Sequence, residues 1–243
     1  MNAKKIFLTF CFLLIFTCII KAQFSAGIVI GYSNNHLNTD ISNRTFTQNT
    51  SSAGFNLGFL FKYNYTYMFS FESGMNLLQK NYSFIRTDNY KGVYETFTNT
   101  YLQLPITAKI KIFEERKFKV FFNNGIYGAY WLFAKVKGTT PNIFNTSANL
   151  GSDGQIIQYL SLSSYSEKYQ FNNDKDNRFE FGLQTGIAIE YKINNKYSIS
   201  FECKYYHSLT DQQKEYMIEQ ISKFNQTFSI SVGFLLKFPK TEK

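Results

Sequence analysis

Between Arg178 and Lys192 the chain alternates Phe179, Phe181, Leu183, Ile187, Ile189 and Tyr191 with Glu180, Gly182, Gln184, Gly186, Ala188 and Glu190. Successive side chains of a strand point to opposite sides, so this stretch carries one apolar face and one polar or small face. Seven further stretches repeat the pattern: Phe24 to Tyr32, Ala53 to Tyr63, Tyr67 to Lys80, Tyr101 to Phe113, Phe118 to about Lys135, Tyr197 to His207, and Thr227 to Phe238. The alternation weakens in the fifth stretch, through Asn124, Gly125 and Gly128, and leaves its register open. Pro105 lacks an N–H and predicts a bulge or an unpaired position in the fourth.

The gaps carry a second pattern. Ser33 to Ser52, Asn81 to Thr100, Gly138 to Asn177 and Ser208 to Gln226 are long and polar, while the connections between them are a few residues each. Asn194 and Asn195 tolerate the positive φ of a tight hairpin. Alternating strands with alternating long and short connections predict an all-β fold, an eight-stranded antiparallel up-and-down transmembrane β-barrel. The long loops then face outward, and both termini are expected in the periplasm.

The first 22 residues change where this barrel is placed. Lys4 and Lys5 precede an apolar run from Ile6 to Ile20, and Ala22 supplies a small residue before a cut ahead of Gln23. This predicts a signal peptide at 1–22 and a barrel domain at 23–243. The run falls short of the roughly 20 residues of a spanning helix. A lipoprotein would need Cys18 as its acylated residue, but Phe16 and Thr17 stand where small residues are expected. Loss of Lys4, Lys5 and Lys21 with the leader takes the formal charge from +9 to +6. Cys11 and Cys18 leave as well, so Cys203 has no intramolecular disulfide partner.

Composition fits the same picture. The 27 Phe and 18 Tyr in 243 residues are hard to hide in a soluble barrel and simple to display to lipid. The inward positions predict a filled interior, because eight strands enclose a space that side chains occupy. They include Lys62, Glu72, Lys80, Lys109, Lys111, Glu180, Glu190, Glu202 and Lys204, whose mixed signs predict ion pairing.

The chain is poor in signals of chemistry. His36 with Asp40 and His207 with Asp211 are the available His/Asp pairs, and they read as solvated loop residues. Asp174-Lys175-Asp176-Asn177 resembles the start of a calcium loop but lacks its glycine and terminal glutamate. Walker-type phosphate loops and CxxC pairs are absent, and basic residues are scattered, against a nucleic-acid partner. No catalytic, cofactor-binding or metal-ligating residue is assigned, no cofactor is expected, and the protein is read as not an enzyme.

Several segments resemble the PorT-like outer-membrane β-barrel family abundant in Bacteroidota. They are Gly27-Ile28-Val29-Ile30-Gly31, Ala53-Gly54-Phe55-Asn56-Leu57-Gly58, Phe69-Ser70-Phe71-Glu72-Ser73-Gly74, Tyr101-Leu102-Gln103-Leu104-Pro105, Phe179-Glu180-Phe181-Gly182-Leu183 and Ser231-Val232-Gly233-Phe234. The resemblance implies a barrel assembled in the Gram-negative outer membrane, and the family includes a component linked to type IX secretion. The last strand is similar to a barrel-assembly signal ending in an aromatic residue, here Phe238. Expected partners are outer-membrane lipids and lipopolysaccharide, the barrel-assembly machinery, and an envelope or secretion protein. The expected function is non-enzymatic: loops that bind a partner or ligand, or support of envelope assembly or secretion. A narrow channel or transporter for small solutes is the alternative.

Overall fold

The computed structural model describes residues 23–40, 46–87, 91–150, 154–218 and 220–238. The expected signal peptide at 1–22 lies outside them. Ten strands run in chain order: β1 (Gln23–Asn38), β2 (Thr47–Asn64), β3 (Phe69–Gln79), β4 (Tyr82–Arg86), β5 (Tyr94–Glu115), β6 (Phe118–Leu150), β7 (Ile156–Lys168), β8 (Phe179–Lys192), β9 (Tyr197–Ser208) and β10 (Phe224–Lys237). β1 pairs with both β2 and β10, which closes an antiparallel ring of eight: β1, β2, β3, β5, β6, β8, β9 and β10. Closure removes the unpaired edge that lipid would not tolerate.

The phase of the ring strands follows the sequence pattern. Ile28, Ile30, Phe59, Ile106 and Ile187 point outward and are each more than half exposed. Ser25, Lys62, Glu72, Lys109 and Glu202 point inward and are buried. A continuous exposed apolar band of this size is stable only against lipid. Cys203 lies on the outward side of β9 between Phe201 and Tyr205 and is free.

Pro105 leaves a gap rather than a bulge. Ser73 pairs with Ile106 and Asn76 with Gln103 in one register, and the two pairs between them are missing. The proline has no N–H to give β3, and the Ser73 hydroxyl donates to its carbonyl at 2.9 Å. The fifth predicted strand is β6, and its phase slips at Leu132, where Tyr101 faces Trp131 but Thr100 faces Phe133. Trp131 and Ala134 are therefore both inward and buried.

Three of the four long gaps are largely strand. β1 continues to Asn38 and β2 begins at Thr47; β4 resumes the line of β3 after a break at Lys80 and Asn81; and β6 runs on to Leu150, where β7 folds back on it. These extensions rise above the apolar band as one curved sheet, β1, β2, β4, β5, β6 and β7. Beyond lipid both faces meet water, so the sequence keeps strand but loses alternation. Among its described residues the gap from 209 to 223 is irregular, with a single bridge from Gln213 to Asp176.

At the opposite end the turns are tight. Arg116 sits at φ 49° in the two-residue turn from β5 to β6, the backbone twist such hairpins prefer. Asn194 works differently from the expectation: neither it nor Asn195 has a positive φ. Its side-chain oxygen instead accepts the N–H groups of Lys196 and Tyr197, each at 2.8 Å, and closes an Asx turn.

Candidate functional site

The lumen is filled by paired charges. Nearest the tight turns, Lys62 bonds Glu190, both buried. Next come four groups in a closed cycle. Lys109 bonds Glu72 and, at 2.5 Å, Glu202; Lys204 bonds Glu202 at 2.6 Å and Glu72 at 3.0 Å. β3 supplies Glu72, β5 Lys109, and β9 both Glu202 and Lys204, so the cycle ties together strands from opposite walls. Farther up, Lys80 bonds Glu180, which also accepts Tyr127 Oη at 2.7 Å and Asn225 Nδ2 at 2.8 Å. Gly182 makes this possible: a Cβ there would strike the Tyr127 ring. Lys62, Lys80, Lys109 and Lys204 thus balance Glu72, Glu180, Glu190 and Glu202 one for one, as buried charge requires, while inward Lys111, nearest the turns, bonds Glu114.

Above the ion pairs the lumen is closed by aromatic rings. Tyr101 stacks on Trp131 at 5.8 Å between centroids, Trp131 stacks on Tyr169 at 5.6 Å, and Phe171 meets Trp131 edge-on at 4.9 Å. The 209–223 segment sends Gln212 into this layer. It accepts from Tyr82 Oη at 3.1 Å and donates to Tyr101 Oη at 3.1 Å. Asp176, part of the calcium-like run, is buried and accepts from Tyr169 Oη at 2.9 Å and the Asn172 N–H at 2.7 Å. It is a tie between loops. Among the described residues no three His, Cys, Asp or Glu side chains are grouped to hold a metal.

His36 and His207 are not gathered into a site. Each faces Gln226 of β10 from one side, so they stand two strand spacings apart on the outer wall, roughly 10 Å. Asp211 is engaged elsewhere, accepting the N–H groups of Gln213 at 2.9 Å and Lys223 at 3.2 Å.

The open concavity lies on the inner face of the extended rim. It has a volume of about 570 Å³ and is lined by Phe84, Arg86, Glu95, Thr140 and Tyr165 among others. β4, β5, β6 and β7 bring these residues together from across 82 positions of sequence. Gly138 leaves room for the Tyr165 ring, whose hydroxyl donates to Glu95 Oε1 at 2.9 Å. Burial and that bond, which ionisation would break, push the Tyr165 phenol up to about 12. Arg86 Nη1 donates to Thr47 Oγ1 at 3.2 Å on the other side. Aromatic faces flanked by a fixed carboxylate and a guanidinium can hold a ligand with both apolar and polar surface. Phe144 and Ile218, at the rim, are exposed by 92% and 97%, so this end presents loose apolar groups as well. None of these rim residues was singled out by the sequence, because no periodic signal joins Glu95 to Tyr165.

A family model described as an outer membrane protein beta-barrel domain matches residues 21–214. No curated protein sequence matches the chain. Solved structures with a similar course include Ail, the attachment invasion locus protein of Yersinia pestis (15% identity, covering 87% of this chain and 98% of that one, TM-score 0.40). The outer membrane protein OprG from Pseudomonas aeruginosa is similar at 10% identity over 90% of this chain and 95% of that one, with a TM-score of 0.41. The outer membrane protease OmpT from Escherichia coli is similar at 6% identity over 90% and 97%, with a TM-score of 0.44.

Proposed function

The chain belongs to the outer membrane protein beta-barrel domain family, and from that premise we propose that it is a non-enzymatic outer-membrane protein that binds a ligand or partner at its extended rim. In this reading the tight turns and both termini face the periplasm, and the rim faces outward. The observation that carries it is the contrast between the two ends of the lumen: a neutral, ion-paired interior sealed by Gln212, beneath a concavity of about 570 Å³ with an aromatic and charged lining. The likeness to PorT-like barrels supports a narrower version, in which the bound partner belongs to envelope assembly or secretion.

Bacteria displaying the protein, probed with arrays of glycans and peptides, should retain at least one class over cells that lack it. That retention should fall when Phe84 and Tyr165 are both replaced by alanine. Equal retention by both kinds of cell would overturn the reading, since it requires an outward, accessible rim.

A narrow channel is the second reading, and one observation favours it. Both amide atoms of Gln103 and of Asn123, and Oε1 of Gln184, are buried without a protein partner, the kind of polar atom that a file of water would bond. The ion pairs make a continuous path costly all the same. In planar bilayers the wild-type barrel should therefore show no stable conductance steps; reproducible steps would put the channel first.

A further inference from the structure

The end with tight turns carries a feature that rim binding does not use. The turn from β5 to β6 brings Arg116, Lys117 and Lys119 against Glu114 and Glu115. The turn from β8 to β9 is flanked by Lys192 and Lys196, and Lys111 and Lys237 sit near the ends of β5 and β10. Seven cations against two carboxylates leave a surplus of five, most of the +6 of the chain without its leader. The lumen contributes nothing to that excess, being balanced pair by pair.

Within this end lies a cavity of about 120 Å³ that opens at the mouth of the barrel. Its volume suits several water molecules, or one oxyanion in their place. Lys62, Lys111, Lys119 and Lys237 line it, and Glu190 is the carboxylate in its wall. Glu114 draws off part of the charge: its two oxygens take Lys111 and, at 2.9 Å, Lys119. Burial raises that carboxyl, but the hydrogen bonds from Lys111 and Lys119 outweigh it and bring it down to about 2. Lys237 makes no ion pair among the described residues.

Two of the ammonium groups are held in place without a ligand. Lys62 lies 4.0 Å from the Phe121 ring centroid and Lys111 lies 3.2 Å from that of Tyr67. Ser25, Thr66 and Ser70 add hydroxyl groups to the wall. Ammonium groups that converge as point charges, with hydroxyls between them and no guanidinium fork, suit a tetrahedral oxyanion better than a planar carboxylate.

We propose that this mouth is a binding site for a phosphate group, either free phosphate or the phosphodiester of a lipid headgroup at the membrane surface. The site is independent of the rim and of whatever the rim binds.

The protein in maltoside micelles is titrated with inorganic phosphate by calorimetry and, separately, in micelles doped with phosphatidylglycerol or with diacylglycerol. Saturable phosphate binding that Lys237→Gln weakens about tenfold, equivalent to 1.4 kcal/mol, and that Lys237→Arg retains, supports the free-phosphate form. Retention of phosphatidylglycerol over diacylglycerol with the same response to the two variants, without binding of inorganic phosphate, supports the headgroup form. Heat-modifiable migration on a detergent gel confirms that each variant has folded. Absence of both bindings, or binding that Lys237→Gln leaves unchanged, overturns the proposal.

Discussion

Lys109→Met should lower the stability of the barrel by about 3 to 5 kcal/mol, as read from urea unfolding in micelles. Lys109 is fully buried and bonds both Glu72 and Glu202. Its removal leaves two carboxylates facing Lys204 alone, and an uncompensated charge in the interior is far more expensive than the absence of a pair. Adding Glu72→Gln to Lys109→Met leaves Lys204 with Glu202, a neutral pair at 2.6 Å. The double variant should therefore recover much of the loss, with a coupling well above the few tenths of a kcal/mol expected of independent sites. Additive losses would mean that the cycle does not act as one electrostatic unit.

The second large effect concerns the outer face. On β8 the outward aromatic residues Phe179 and Tyr191 mark the two ends of the apolar stretch, so its middle falls near Ile187 and Leu183. Arginine at Ile187 should cost about 2 to 4 kcal/mol, whereas Phe181→Arg, nearer the rim, should cost about 0 to 1. Comparable losses at the two positions would contradict this depth assignment. The sequence supports the face of Phe181 but not its height, because alternation reports which side a residue takes and not how far along the membrane it lies.

The same distinction explains what was legible overall. All eight ring strands could be read, and the faces of all but the fifth, because lipid on one side and a packed lumen on the other impose a two-residue period from Phe24 to Phe238. Pro105 was readable as an interruption, since its missing N–H is a property of the residue itself. β6 was harder. Tyr127 and Trp131 place aromatic rings inside, where neighbouring strands place charge, and the slip at Leu132 then exchanges the faces. The rim extensions were read as loops because water on both sides erases the period while pairing continues. The inward charges could be listed from sequence, but their partners could not: Glu72 and Lys204 are 132 residues apart. Gln212 gave no sign that its amide would bridge Tyr82 and Tyr101, since that role depends on where a loop without period comes to rest.

The cycle of Lys109, Glu72, Lys204 and Glu202 alternates in sign around its circuit. Such an arrangement has no net charge, and opposed pairs cancel most of its dipole, so its field is close to that of a quadrupole and decays within a short distance. An ion arriving from either mouth would have to surrender its hydration without meeting a potential that favours either sign. In electrical terms the cycle should offer neither sodium nor chloride a favourable place in the bore.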